Sequence, residues 1–307
     1  MRLRKPNSLE KGWLASCMML ALALPQCSKS VEDASSESQP ETSLEEPSCR
    51  ESFYEAGLHQ LEVSIDGAIR EALLYIPMDL PERGPYPLVL AFHGVYSSAE
   101  SIIESTEIFG KADEEGFVVI VGRGVGGAWN AGGCCEPAQS QEVDDVAFVR
   151  RLVELVAESG CIDMDRVYAT GFSNGAAMTY RLACEAADLI RAVAPVGGML
   201  GHYPCSPQNG ISLLAINAVD DPQVSYQLAH ISYQNFRSFN YCGGTPVETE
   251  PASGVVCESD NLCADQVTTK FCSIEELGHL WPGDPDADAT GFRATDALWE
   301  FFVEVSQ

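Results

Sequence analysis

Positive charge is scarce in this sequence, and that scarcity excludes whole classes of partner. The 307 residues include 18 Lys and Arg against 45 Asp and Glu, which gives a formal net charge of −27 at pH 7. A surface of that sign repels phosphate groups, so nucleic acid is excluded as a partner. Histidine is also sparse, with five residues, and the chain has no Cys-x-x-Cys and no His-x-x-x-His spacing. We therefore predict no metal site and expect no cofactor.

Long apolar runs are lacking near the N-terminus. Residues 13–25 are mostly apolar, but a run of about 13 residues is too short to span a membrane, which takes about 20. The run follows a segment that contains four Lys and Arg within its first 11 residues. This order is typical of a signal peptide, so we assign residues 1–26 to one and predict an exported protein.

Cys27 follows that apolar run after one residue, Gln26, in a position that resembles the lipidated cysteine of bacterial lipoproteins. It is a lipidation candidate that would attach the protein to a membrane, and simple secretion is the alternative. Residues 28–47 are rich in Ser and Glu and almost free of large apolar side chains. Such a segment cannot bury a core, so we predict a disordered tether over 27–48 and one domain over 49–307.

Cysteine is abundant, and its twelve copies indicate an oxidising compartment. Ten of them follow Cys27, enough for five disulfides. A polar insert spans 248–265. Within it, Cys257 and Cys263 flank a short polar segment, and we expect them to close it. Cys134 and Cys135 are expected to bond to different partners, because a bond between sequence neighbours is strained.

Strand-like and helix-like patterns alternate along the domain. A leading hairpin is predicted from 61–65 and 70–77, with Asp66-Gly67 at its turn. The later predicted strands are 87–93, 117–122, 166–170, 192–196, 212–217 and 270–274, and the predicted helices are 144–159, 174–187, 226–236 and 295–303. This alternation predicts an α/β fold with a mostly parallel, doubly wound sheet and helices on both of its faces.

A Gly-x-Ser-x-Gly motif, Gly171 to Gly175, lies between a predicted strand and a predicted helix. In α/β-hydrolases this turn is the nucleophile elbow, which presents the serine at a helix start where negative charge is favoured. Ser173 is therefore the candidate nucleophile. A Gly-rich turn with an inert serine is the alternative. The backbone N–H groups of Asn174 and Val95 are the candidate oxyanion donors.

A nucleophilic serine needs a base and an acid, which follow in the chain order Ser, acid, His in α/β-hydrolases. His279 lies in a loop bounded by Gly and Pro after the predicted strand at 270–274, and it is the preferred base. His230, within a predicted helix, is the alternative. Asp220 and Asp221 both follow the predicted strand at 212–217, and either fits as the acid.

Five segments, spread over about residues 60–303, carry a family resemblance. They are 88–94, 129–135, 143–146, 166–175 and 278–283. Together they resemble the secreted polyhydroxybutyrate depolymerases and feruloyl-esterase-like carbohydrate esterases. The resemblance implies an α/β-hydrolase with Ser173 as nucleophile and His279 as base. It also selects Asp221 as the acid, through the Asp-Pro-x-Val-x-Tyr segment that begins there.

The same resemblance implies further site residues. The side chains expected to bind substrate are His93, Trp129, Asn130 and Trp281. The resemblance also implies a Cys242–Cys272 disulfide that would brace the His279 loop. The chain departs from the family at Val95-Tyr96, where the family has a loop richer in glycine.

The predicted function is an exported serine esterase that hydrolyses carboxylic esters through an acyl-enzyme. The substrate is predicted to be a small ester or an ester-bearing polymer: feruloyl or acetyl esters on plant polysaccharide, or polyhydroxyalkanoate esters. We expect a monomer. A serine peptidase on the same fold and a non-catalytic surface binding protein are the alternatives. The complete Ser, Asp and His set argues against the second of these.

Overall fold

The computed structural model describes residues 53–81, 84–158, 161–260, 262–285 and 291–307. The predicted signal peptide, the predicted tether and Cys27 lie outside these ranges. The described residues belong to one contact unit, which runs from Glu45 to Gln307. Within the described ranges, no helix has the length and apolar character needed to cross a membrane.

Ten strands, counted over the described ranges, pair into one sheet. They are β1 (Gly57–Ile65), β2 (Ala68–Ile76), β3 (Tyr86–Phe92), β4 (Val118–Gly122), β5 (Ile162–Phe172), β6 (Ala192–Val196), β7 (Ser212–Ala218), β8 (Val247–Ala252), β9 (Val255–Asp260) and β10 (Thr269–Ile274). Their order across the sheet is β1-β2-β4-β3-β5-β6-β7-β10-β9-β8. The strands from β4 to β10 in this order are parallel, and an antiparallel hairpin extends the sheet at each end.

Helices cover both faces of the sheet. They are α1 (Ala99–Thr106), α2 (Ile108–Glu115), α3 (Asp145–Ala157), α4 (Asn174–Glu185), α5 (Tyr226–Phe239) and α6 (Ala294–Glu304). One apolar core holds side chains of α3, α4 and α5, and a second holds those of α1, α2 and α6. In β3, Leu88 and Leu90 enter the first core while Val89 and Ala91 enter the second. A strand covered on both sides is apolar throughout, and the predicted doubly wound fold is confirmed.

The predicted polar insert over 248–265 contains two strands instead of an irregular loop. β8 and β9 form a hairpin, and β9 pairs with β10. Every residue of β8 except Ala252 is exposed. Its Glu248, Glu250 and Pro251 suit the unpaired edge of a sheet and remove the apolar alternation by which a strand is predicted.

The disulfides correct two predicted pairs. Cys257 bonds to Cys272 because the two residues face each other in register across β9 and β10. Cys242 bonds to Cys263. The predicted pairs Cys257–Cys263 and Cys242–Cys272 are therefore wrong, since the pairing depends on β9, which the sequence pattern did not reveal.

The remaining bonds between described cysteines include an adjacent pair. Cys134 and Cys135 bond to each other, with Cα atoms 3.1 Å apart and a cis peptide bond between them. The expectation that they bond to different partners is wrong. Cys184 bonds to Cys205 and joins the end of α4 to the loop after β6.

Two glycines allow the turn between β5 and α4 to contact the end of β3. A Cβ atom at Gly175 would overlap the carbonyl oxygens of Phe92 and His93. A Cβ atom at Gly171 would overlap the backbone of Gly175 and the same Phe92 carbonyl. The turn therefore lies backbone against backbone on β3, which only residues without a side chain permit.

We predict that Gly175→Ala destabilises the protein by about 2 kcal/mol or more, because backbone atoms cannot move aside as a flexible side chain can. The measurement is urea denaturation followed by circular dichroism. Gly110→Ala is the matched control: Gly110 lies within α2, and a Cβ atom there meets nothing within 4 Å. That variant should be as stable as the wild type or more stable by up to about 1 kcal/mol. Equal stability of the two variants would contradict the close approach.

Candidate active site

Ser173 stands on the turn between β5 and α4 in a conformation that serine rarely adopts. Its φ is 56° and its ψ is −116°. Positive φ is uncommon outside glycine and needs support from the surrounding structure. Hydrogen bonds give that support: Ser173 N donates to the carbonyl of Val196 at 3.0 Å, and Ala177 N donates to the carbonyl of Ser173 at 3.0 Å. The serine hydroxyl is thereby raised above the carboxyl end of the sheet.

His279 and Asp221 approach Ser173 from two other loops. His279 Nε2 lies 2.9 Å from Ser173 Oγ, and His279 Nδ1 lies 2.6 Å from Asp221 Oδ2. The Asp221 side chain is 1% exposed and that of His279 is 8% exposed. A carboxylate shielded from water fixes the imidazole tautomer with its proton on Nδ1, which leaves Nε2 free to accept a proton from the serine.

Asp220 and Asp221 have different partners, although the sequence alone left both open as the acid. The other oxygen of Asp221, Oδ1, accepts the N–H groups of Gln223 and Val224 at 2.7 and 2.9 Å. These bonds hold the carboxylate in place while Oδ2 faces the imidazole. Asp221 is thus the acid that contacts His279.

Asp220 instead holds the loop that carries the histidine. Its Oδ1 accepts the N–H groups of Gly278 and Leu277 at 2.8 and 3.0 Å. These two backbone hydrogen bonds lower the pKa of the Asp220 carboxyl. The two neighbouring carboxylates therefore have different roles: Asp221 orients the imidazole ring, and Asp220 fixes the backbone of the loop that carries it.

Two backbone N–H groups flank the serine. Val95 lies on the loop after β3, where Gly94 packs against Ser173, and Asn174 begins α4. Neither N–H donates a hydrogen bond to another residue within the described ranges. Tyr96 N donates to the carbonyl of Gly127 at 2.7 Å, which fixes the loop beside Val95. The arrangement leaves both donors available to a negatively charged oxygen bound at Ser173.

His230, the alternative base, does not reach this site. Its ring packs against Phe271 and Tyr226, and its Nε2 lies 3.7 Å from Glu258. The structure thus places it on α5, in a packing role against the sheet.

A cavity of about 280 Å³ opens beside Ser173 and His279. Hydroxyl groups line it along α1 and the loop before α1, at Ser97, Ser101 and Ser105. Its apolar lining comes from Val95, Ile102, Phe172, Leu280 and Trp281. A mixed lining of this kind suits an organic group that carries a few oxygen atoms on an apolar frame.

Of the four side chains predicted to bind substrate, the structure brings only Trp281 to this cavity. Trp129 is fully buried, and its Nε1 donates to the carbonyl of His93 at 2.9 Å. Its backbone N–H and carbonyl pair with the side-chain amide of Asn174 at 2.8 and 3.1 Å. The expectation of direct substrate contact is corrected for Trp129, which supports the loops behind the serine.

Asn130 is half-buried and does not line this cavity, so its contact with substrate stays a prediction. Its backbone N–H donates to Asp145 Oδ2 at 2.7 Å. Sequence reasoning placed Asp145 only at a helix start, whereas the structure buries it fully, with Oδ1 2.7 Å from Arg70 Nη2. Burial raises the pKa of Asp145, and the Arg70 guanidinium opposes that rise. One sequence signal could have revealed this buried ion pair: Asp145 lies within 143–146, one of the segments that carry the family resemblance.

The expectation that His93 contacts substrate is corrected, as it is for Trp129. It is 1% exposed, its Nδ1–H donates to the carbonyl of Gly94 at 2.7 Å, and its Nε2 accepts the N–H of Gly124 at 3.0 Å. This pattern requires a neutral ring, and burial lowers the pKa of His93 below its ordinary 6.5. The ring joins the loop after β3 to the loop after β4, and so positions Val95.

A mostly parallel sheet with a serine on the strand-to-helix turn, followed along the chain by an aspartate and a histidine on later loops, defines an α/β-hydrolase. A family model described as X-Pro dipeptidyl-peptidase (S15 family) matches residues 66–230, more than half of the chain. The chain therefore belongs to this family. The matched segment includes Ser173 and Asp221 and ends before His279.

The relatives of this chain include esterases. Feruloyl esterase B of Piromyces equi is 26% identical over 234 residues, which cover 68% of this chain and 42% of that protein. Feruloyl esterase C of Emericella nidulans is 29% identical over 245 residues, or 76% of this chain and 84% of that protein. The solved structure of acetyl xylan esterase from Aspergillus awamori has a TM-score of 0.62 at 15% identity, covers 81% of this chain and 99% of that chain, and shows the fold alone.

These relatives confirm the resemblance to feruloyl esterases, and they confirm the predicted enzyme class, a carboxylic ester hydrolase. The resemblance to polyhydroxybutyrate depolymerases stays a prediction.

We predict that the free energy of unfolding falls as the pH drops below 6.5, partly because of His93. The unfolded chain takes up a proton at this residue, whereas the buried ring, with its lowered pKa, does not. In His93→Gln the dependence on pH between about 7 and about 5.5 should be shallower, because this uptake is removed. Urea denaturation at a series of pH values measures it. Parallel curves for the two proteins would contradict the neutral, buried state of His93.

Proposed function

We propose that the protein hydrolyses carboxylic esters by a Ser173–His279–Asp221 mechanism. The observation that carries the proposal is the hydrogen-bonded line from Asp221 Oδ2 through the imidazole to Ser173 Oγ, with separations of 2.6 and 2.9 Å. The line ends beside a cavity large enough for an acyl group. Such a line supplies an activated nucleophile, a general base and an orienting acid at one place.

The proposed reaction has two halves. His279 Nε2 takes the Ser173 hydroxyl proton while Oγ attacks the ester carbonyl carbon, and the carbonyl oxygen becomes an oxyanion stabilised by the N–H groups of Val95 and Asn174. The imidazolium, stabilised by Asp221, gives its proton to the departing alcohol and leaves an acyl-enzyme. Water, deprotonated by His279, then attacks the acyl carbon, and Ser173 recovers its proton as the acid leaves.

We propose a hydroxycinnamoyl group, of which feruloyl is one, as the acyl part of the substrate. Two relatives named feruloyl esterase support this choice. The cavity volume of about 280 Å³ also supports it. A water molecule takes up about 30 Å³ of liquid, and an acetyl group is only somewhat larger, so it would leave most of that volume unfilled. Acetyl and polyhydroxyalkanoate esters are the other candidates.

We further propose that the protein is exported, and lipid attachment through Cys27 is to be tested on the full chain. The predicted signal peptide supports export. The disulfides that join β9 to β10 and α4 to the loop after β6 support it as well, because such bonds persist in oxidising compartments.

We predict that Ser173→Ala lowers the hydrolysis of p-nitrophenyl acetate and methyl ferulate by at least about 10³-fold, because the acyl-enzyme cannot form. An unchanged circular dichroism spectrum serves as the control for folding. Undiminished turnover by the variant would overturn the assignment of the nucleophile. A wild type that binds the ester but does not hydrolyse it would instead favour a binding protein.

Asp221→Asn is expected to lower kcat for methyl ferulate by on the order of 10³- to 10⁴-fold, because an amide no longer selects the tautomer that the base needs. Asp220→Asn is the matched neighbour. Its amide oxygen can still accept the Gly278 and Leu277 N–H groups, so the loss should stay below about tenfold. The reverse ranking of the two variants would make Asp220 the acid.

The family description favours a second candidate, a peptidase that releases Xaa-Pro dipeptides from the start of a peptide. An Xaa-Pro p-nitroanilide, assayed beside methyl ferulate with the wild type and with Ser173→Ala, separates the two. Turnover of the anilide that exceeds turnover of the ester and is lost in the variant would establish the peptidase.

A further inference from the structure

Asp284 is the acidic residue in the wall of the cavity beside Ser173 and His279. The other described residues of that lining, apart from His279, are glycine or carry apolar, hydroxyl or amide side chains. None of the described lining residues is Lys or Arg. The wall of the cavity therefore includes a carboxylate that no lysine or arginine of the described lining offsets.

A tight turn fixes Asp284 in the loop that carries the base. Asp284 N donates to the carbonyl of Trp281 at 3.0 Å, and between them lie Pro282 and Gly283, the latter with a φ of 89°. Proline at the second position and glycine of positive φ at the third are typical of a type II turn. Trp281, at the first position, is buried and lines the same cavity. The turn therefore holds Asp284 beside a cavity residue, five residues after His279.

Arg293 lies against this turn, but its charge is matched elsewhere. A Cβ atom at Gly283 would lie 2.9 Å from the Arg293 Cα, so the turn packs directly on the residue that precedes α6. The Arg293 guanidinium lies 2.6 Å from a carboxylate oxygen of Glu107 and 3.3 Å from one of Asp296. Neither of these residues lines the cavity. The positive charge of Arg293 is thus matched by two carboxylates other than Asp284.

The small size of the cavity makes a charge in its wall effective. A sphere of 280 Å³ is about 8 Å across, so a charged group within the cavity stays within about 8 Å of the wall on every side. Two unit charges at that separation change a binding or rate constant about threefold to thirtyfold, depending on how much water screens them. Asp284 would repel an anionic acyl group by such a factor and attract a cationic one.

We propose that Asp284 determines which charge the cavity accepts on the acyl group: neutral and cationic acyl groups bind, and anionic ones are rejected. The inference rests on the proposed function, which places the acyl group in this cavity. A hydroxycinnamoyl group meets the requirement, because its phenol is uncharged near neutral pH and can donate a hydrogen bond to a carboxylate. Half-esters of dicarboxylic acids are excluded, although they are carboxylic esters too. Asp284 is thereby a specificity-determining residue that takes no part in the chemical steps.

The test compares three methyl esters of cinnamic acid that differ in the group at the far end of the ring: carboxylate, carboxamide and aminomethyl. Near neutral pH the first is negative, the second is its neutral isostere, and the third is positive. The readout is kcat/KM for each charged ester divided by kcat/KM for the carboxamide ester, so that a general loss of activity cancels. Asp284→Asn should raise the ratio for the carboxylate about threefold to thirtyfold and lower the ratio for the aminomethyl ester by a similar factor. Asp284→Glu keeps the charge and should keep both ratios close to those of the wild type.

Asp66→Asn is the matched control, because it changes the net charge of −27 by the same one unit. Asp66 is exposed at the turn between β1 and β2 and does not line the cavity. Its φ is 50°, a conformation that asparagine adopts as readily as aspartate. Both ratios should stay at their wild-type values in this variant.

Three outcomes would overturn the inference. Unchanged ratios in Asp284→Asn would show that its carboxylate does not act on the acyl group. The same shifts in Asp66→Asn would assign the preference to the charge of the whole molecule. An equal loss on all three esters in Asp284→Asn would make the residue a support for the turn. If the wild type hydrolyses neither methyl ferulate nor the carboxamide ester, the proposed function fails and this inference with it, a result distinct from the other three.

Discussion

The rest of the structure depends on one contact between backbones, where the turn after β5 meets the end of β3. Gly175 lies so close to the Phe92 carbonyl that no side chain fits between them. This approach sets the unusual φ of Ser173 and brings the loop after β3 beside the serine hydroxyl. The nucleophile and the Val95 N–H are therefore placed by the same contact, and a change at either glycine would disturb both.

Behind this contact lies a layer of buried polar groups that never face the cavity. Trp129 forms hydrogen bonds with the His93 carbonyl and with the Asn174 amide. Asp145 forms a salt bridge with Arg70 and accepts the backbone N–H of Asn130. Buried polar groups that are paired specify one arrangement of the loops, because each broken bond would leave an unsatisfied group away from water. The order of the proposed oxyanion site thus arises from residues that do not contact substrate.

The parallel sheet and the candidate roles of Ser173 and His279 could be predicted from local pattern, whereas the choice of Asp221 over Asp220 depended on the family resemblance. A continuous apolar run indicates a doubly covered strand, and a glycine-bounded serine indicates a sharp turn. The predictions that failed needed information that only the fold supplies. Trp129 lies in a segment that the family shares, but that match does not tell whether its side chain faces the cleft or supports the cleft from behind. The partner of Cys257 depends on its register across β9 and β10, which no spacing along the chain reveals.

The exposed outer strand β8 has a consequence for how copies of this protein meet. Its backbone donors and acceptors on the outer side are a template to which another strand could add. Glu248 and Glu250 would face the same charges on a second copy, and Pro251 supplies no N–H to the pairing. The two glutamates and the proline, which make this strand hard to predict from the sequence, therefore also act against self-association along the sheet edge that β8 forms.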